Sequence, residues 1–105
     1  MIVVCNRVKV NPQHTEAFER LFLSRAHAVD QMPGFKGFQL LRPTKPGDWY
    51  VVMVTWESKE HYQAWMKSDA FKHGHSRTGS LPDDVFLEPQ KIELYEVLEN
   101  VSASA

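Results

Sequence analysis

The chain has 105 residues, of which 43% are hydrophobic, and sets 12 Lys and Arg against 13 Asp and Glu. That length supports one compact core and leaves no room for two, so residues 1–105 are expected to form a single domain. The near-balanced charge provides no strong field to draw in nucleic acid or an anionic membrane, and neither partner is expected. The lone Cys5 cannot close an intramolecular disulfide, and the N-terminus carries no basic segment followed by a long apolar run. A soluble, cytoplasmic protein in a reducing compartment is the expectation.

Hydrophobic period divides the sequence into six segments. Residues 2–10 alternate, with Ile2, Val4, Asn6, Val8 and Val10 in one row and Val3, Cys5, Arg7 and Lys9 in the other, which predicts a strand. Asn11 and Pro12 end it and open a helix, since proline suits a first helical turn. Over residues 15–31 the positions Phe18, Leu21, Phe22, Ala26 and Val29 recur at helical spacing, predicting an amphipathic helix that Pro33 and Gly34 stop. Residues 35–41 and 49–56 read as two strands, with the turn-rich stretch 42–48 between them suggesting a hairpin.

Ser58 is a plausible N-cap for a helix carrying Tyr62, Trp65 and Met66, and Ser68 or Asp69 can open a second, shorter helical turn that ends near Gly74. Residues 76–89, with Gly, Ser, Asp and two Pro, predict a loop; residues 91–99 predict a final strand and 100–105 a frayed tail. The order strand, helix, strand, strand, helix, strand is that of an α+β, ferredoxin-like antiparallel sheet with helices on one face. Residues 51–54 are apolar on both faces of their strand, so a second subunit packed sheet to sheet is expected to cover the other side.

Three residue types stand out for chemistry. Asn6 places an amide in an otherwise apolar row, either to tie down a neighbouring loop backbone or to face a ligand. Arg25 lies within the apolar stripe of its helix, where its head group reaches either solvent or the carboxylate of a hydrophobic ligand. Ten residues separate Trp65 from His75. On one straight helix His73 and His75 would lie about 80° to either side of Trp65, so phase does not choose between them. His75 follows Gly74, where a helix tends to open, and comes four residues after Phe71, so it can project from a helix end into a pocket. One histidine suffices as a metal ligand when the metal arrives inside a macrocycle that supplies the others.

The segment 25–43, the run Tyr-Val-Val-Met-Val-Thr-Trp-Glu-Ser ending at Ser58, and Trp65 together resemble the IsdG/MhuD-type haem-degrading monooxygenases of the antibiotic biosynthesis monooxygenase superfamily. The likeness covers nearly the whole chain. Segment 25–43 is most similar to the actinobacterial branch, and 68–72 with the Trp65 to His75 step to the staphylococcal branch. The resemblance implies a dimeric α/β barrel with a haem pocket in each subunit and an Asn, Trp and His triad on Asn6, Trp65 and His75. It further implies His75 as the proximal iron ligand, Trp65 pressing on and ruffling the macrocycle, Asn6 as a donor on the distal side or at the haem edge, and Arg25 on a propionate, with Phe22 among the haem-binding residues. Haem, iron protoporphyrin IX, would be both substrate and cofactor, opened with dioxygen and an external electron donor (a reductant or reductase) to release iron and a bilin-like product. Other expectations compatible with the same fold are a cofactor-independent quinol or polyketide monooxygenase, a haem-binding module that does not degrade its ligand, and a structural dimer that binds nothing.

Overall fold

The computed structural model describes the backbone of residues 1–76 and 81–103, and the side chains of these residues apart from 25–28 and 73–76. Arg25, His73 and His75 therefore lie outside the described side chains, and part of the expected loop 76–89 lies outside the described residues.

Strand β1 (Ile2–Val8) is flanked by β3 (Tyr50–Trp56) and β4 (Lys91–Glu96), and β2 (Phe35–Leu41) pairs with β3, giving one antiparallel sheet of order β2-β3-β1-β4. A 3₁₀ turn over Pro12–His14 leads into α1 (Thr15–Val29), and α2 (Lys59–Met66) and α3 (Asp69–Ser76) follow β3. Strand β1 is two residues shorter than its alternation predicts. Val10 instead bridges Phe86, and the segment before β4, read as a plain loop, supplies the core residue Val85. That segment is pinned to the start of α1 by His14 against Asp84 at 2.8 Å and by the Asn11 N–H donated to the Val85 carbonyl at 2.8 Å.

The inner row of β1 carries the core. Val8, Phe18, Phe22, Tyr50 and Val52 form one cluster, in which the Phe18 ring lies 4.6 Å from Phe22 and 5.0 Å from Tyr50. Val4, Val29 and the fully buried Trp56 form a second, against which Ile2, Tyr62 and Trp65 pack. The α1 stripe enters both clusters because Phe18, Phe22 and Val29 recur on one helix face.

The end of the sheet near the β2–β3 connection is closed by charge. The Glu19 carboxylate accepts from Arg42 Nε at 2.9 Å, from Arg42 Nη2, and from the Tyr50 hydroxyl. Arg42 foremost, then Tyr50, holds the Glu19 carboxyl below its ordinary value. A depressed carboxyl contributes stability that is present above the ordinary value of 4.5 and lost as pH falls through the lowered folded value. Glu19→Gln is accordingly expected to destabilise the protein at neutral pH, with the two unfolding curves converging in acid; denaturant titrations between about pH 7 and pH 3 measure this.

Candidate functional site

Asn6 lies in the inner row between Val4 and Val8, opposite Val52 on β3 and Ile92 on β4. Its Nδ2 donates to Gln90 Oε1 at 2.9 Å, and its Oδ1 is buried with no hydrogen-bond partner among the described residues. The amide thus ties down a neighbouring segment, through a side chain rather than the loop backbone. An acceptor sealed from water without a donor costs about 1–3 kcal/mol, so its presence in an apolar row asks for a reason.

Beside it the sheet is uncovered. Ile92 and Leu94 are the cross-strand partners of Asn6 and Val4 and therefore face the helices, yet they are 60% and 44% exposed. Apolar side chains on the helix face of a sheet are normally buried, and these two form an open apolar floor next to the amide.

An aromatic group stands on the same face of the sheet. The Ser58 hydroxyl oxygen accepts from the His61 N–H and caps α2, which sets Trp65 in the last turn of that helix. Trp65 packs on Trp56 at 6.3 Å and meets Phe71 edge-on at 5.5 Å. Phe71 belongs to α3, and Ser68 fixes the bend between the helices: its Oγ donates to the Trp65 carbonyl at 2.6 Å and accepts from the Phe71 N–H at 3.1 Å. The straight-helix phase between Trp65 and the histidines does not apply, because α2 ends at Met66 and α3 starts afresh at Asp69. Nor does the helix open at Gly74; α3 runs to Ser76, and the His75 backbone sits one turn beyond Phe71, next to the helix's last residue.

Asn6 and Trp65 are thus on the same side of the sheet: Asn6 shares the inner row of β1 with Val4, and Trp65 packs against the cluster that holds Val4 and Trp56. Phe22, by contrast, is a core residue with 5% exposure, packed against Phe18. Sequence reasoning missed Ile92, Leu94 and Gln90. The alternation of Ile92 and Leu94 with charged neighbours was the available signal, but only the pairing of β4 with β1 puts them beside Asn6.

A cleft of about 490 Å³ lies elsewhere, lined in part by Glu19, Arg42, Pro43, Asp48 and Tyr50. Glu19, Arg42 and Tyr50 already satisfy one another there, so the cleft has the chemistry of a closed ion-pair cluster. Among the described residues no group of three His, Cys, Asp or Glu side chains is placed to hold a metal ion, and no helix is long and apolar enough to cross a membrane.

A four-stranded antiparallel sheet with its helices against one face and an amide set in that inner face define an α+β protein of the ferredoxin-like type. Residues 1–77 match the family model of the antibiotic biosynthesis monooxygenases, and the chain belongs to that family. It is 45% identical over 69 residues to the haem oxygenase (mycobilin-producing) of Mycobacterium tuberculosis, a match spanning 66% of each chain, just under two thirds of that relative's length. It is 34% identical over 99 residues to a haem-degrading monooxygenase of Bacillus thuringiensis, covering 92% of this chain and 90% of the relative. Among solved structures, the haem degrader MhuD of Mycobacterium tuberculosis with two haems bound in its active site superposes with a TM-score of 0.77 at 35% identity, over 97% of this chain and 100% of that one.

Proposed function

We propose that this protein is a haem-degrading monooxygenase that takes haem as both substrate and cofactor. The observation that carries the reading is the orphaned Asn6 acceptor beside the open floor of Ile92 and Leu94. A mostly apolar site with a few placed polar groups suits a flat apolar ligand with a polar edge. The relatives named for haem degradation favour haem as that ligand.

Bound haem supplies the iron and the ring that dioxygen and an external electron donor convert to a bilin-like product. The chain's own residues bind, orient and exclude. His75 would hold the iron through a ring nitrogen, and its place one turn beyond Phe71 puts it on the helix that abuts Trp65. Trp65, braced by Trp56 and Phe71, is a stiff edge that would press on a bound macrocycle and orient it. Arg25 would pair with a propionate, a bidentate role that arginine fills better than lysine. Phe22 would back the pocket from within the core. Asn6 would offer its amide to the bound ligand.

Two copies packed sheet to sheet would close a dimeric α/β barrel. Val3, Cys5, Val51 and Met53 lie on the sheet face opposite the helices and are only half-buried in the single chain, which supports that arrangement. Cytoplasmic placement fits the free Cys5, whose thiol is pushed up chiefly by burial and then by Glu93, away from the reactive thiolate form.

The test is haemin titration of the purified apoprotein followed by ascorbate in air with catalase present. A stoichiometric Soret complex that then bleaches with release of iron, lost in His75→Ala and kept in His73→Ala, is the expected result. Absence of a specific Soret complex overturns the haem reading in favour of a cofactor-independent monooxygenase. A complex that persists under reductant leaves a haem-binding module.

A further inference from the structure

Asn6 has two donors and two acceptor positions on an amide whose two ends are nearly the same shape. In the structure one donor is spent on Gln90 Oε1 at 2.9 Å, and the buried end is the oxygen. Gln90 is itself an amide. A concerted half-turn of both groups keeps the bond, now donated by Gln90 Nε2 to Asn6 Oδ1, and places the Asn6 NH₂ at the buried end.

The two states differ in what they offer a ligand. Dioxygen, the co-substrate of the activity proposed above, only accepts hydrogen bonds. An amide oxygen at the buried end is mismatched to it, whereas an NH₂ is matched. No backbone partner competes for the Asn6 amide among the described residues, so residue 90 decides which end is shown.

We propose that Gln90 is a positioning residue: by giving or accepting a hydrogen bond through the same contact, it sets which end of the Asn6 amide is held at the buried position beside Ile92. The inference rests on the haem-degrading reading for the identity of the substrate, and on the Asn6–Gln90 bond alone for the switching. Gln90 sits just before β4 and is exposed, so substitutions there leave the core untouched.

Opposite substitutions separate this role from simple support. Gln90→Glu offers only acceptors at neutral pH and holds the Asn6 oxygen at the buried end; Gln90→Lys offers only donors and holds the NH₂ there. At saturating haemin, Gln90→Lys is expected to bleach the Soret band about tenfold faster than Gln90→Glu, the effect of one well-placed hydrogen bond. In the apoprotein, the ¹⁵N-bound side-chain protons of Asn6, assigned by their loss in Asn6→Asp, should show one proton shifted by a hydrogen bond in Gln90→Glu and neither so shifted in Gln90→Lys. Equal bleaching rates in the two variants, or Asn6 resonances indifferent to residue 90, overturn the proposal while wild-type degradation leaves the haem reading standing. A wild-type protein without a Soret complex overturns the haem reading instead, and the apoprotein resonances then still decide whether Gln90 orients Asn6.

Discussion

Gly34→Ala is expected to lower stability by about 3 kcal/mol, from about 1–2 for an L side chain in the left-handed region and a similar amount for overlap. Gly34 has φ +80°, and the Phe35 N–H bonds the Met32 carbonyl at 3.2 Å, so Pro33 and Gly34 occupy the centre of a tight turn that needs a positive φ at its second central residue. A Cβ there would stand 2.2 Å from His61 Cγ and 2.6 Å from His61 Cβ, too close for any rotamer to relieve. His61 cannot withdraw freely, because its Nδ1 meets Ser58 Oγ at 2.7 Å and its N–H is the one that Ser58 caps. The strain passes to α2, and Trp65 lies one turn further along that helix. The midpoint of thermal unfolding should fall by more than about 10 °C. Haemin affinity should fall as well, since the aromatic wall moves. His61→Ala in the same chain removes the Cγ and Cδ2 overlaps but not the Cβ one, so it should restore part of the loss. A double mutant no more stable than Gly34→Ala would mean that the backbone conformation and the remaining Cβ overlap carry the cost.

That contact shows where the sequence was readable and where it was not. Local patterns were legible: the alternation of β1 put Asn6 in the inner row, and Ser58 and Ser68 announced their helices through hydroxyls that the structure shows capping them. Pro33 and Gly34 announced a stop. Long-range pairing was not legible. Gln90 reaches Asn6 across 84 residues, and Gly34 meets His61 only because the β2–β3 hairpin folds α2 back over the turn. The exposure of Ile92 and Leu94 depends on which strand stands at the sheet edge, information carried by the order β2-β3-β1-β4 rather than by any window of residues. The phase argument between Trp65 and the histidines failed for a local reason: the Ser68 cap, which the sequence did offer, ends one helix frame and starts another.

Asn6→Leu is expected to separate stability from activity. Leucine matches the amide in size and fits a row that already holds Val4 and Val8, and it removes the sealed Oδ1 whose desolvation is uncompensated. Gln90, exposed, turns its amide to water when the bond is lost. Net stabilisation of about 1 kcal/mol follows, because removing both the polar atom and its need for a partner is cheaper than leaving it orphaned. The same change deletes the only polar group in the inner row of β1, so haem degradation at saturating haemin should drop by about a hundredfold, the usual cost of losing the side chain that can donate at a reacting centre. Haemin binding should change far less, since the floor and the aromatic wall remain. Chemical denaturation and single-turnover Soret decay on the same preparation read both quantities. A variant that is less stable than the wild type would make Asn6 a structural tie, its acceptor satisfied in solution. One that is more stable and inactive would mean that the chain keeps a destabilising amide in the inner row of its sheet for the sake of the reaction, as sites that trade stability for chemistry do.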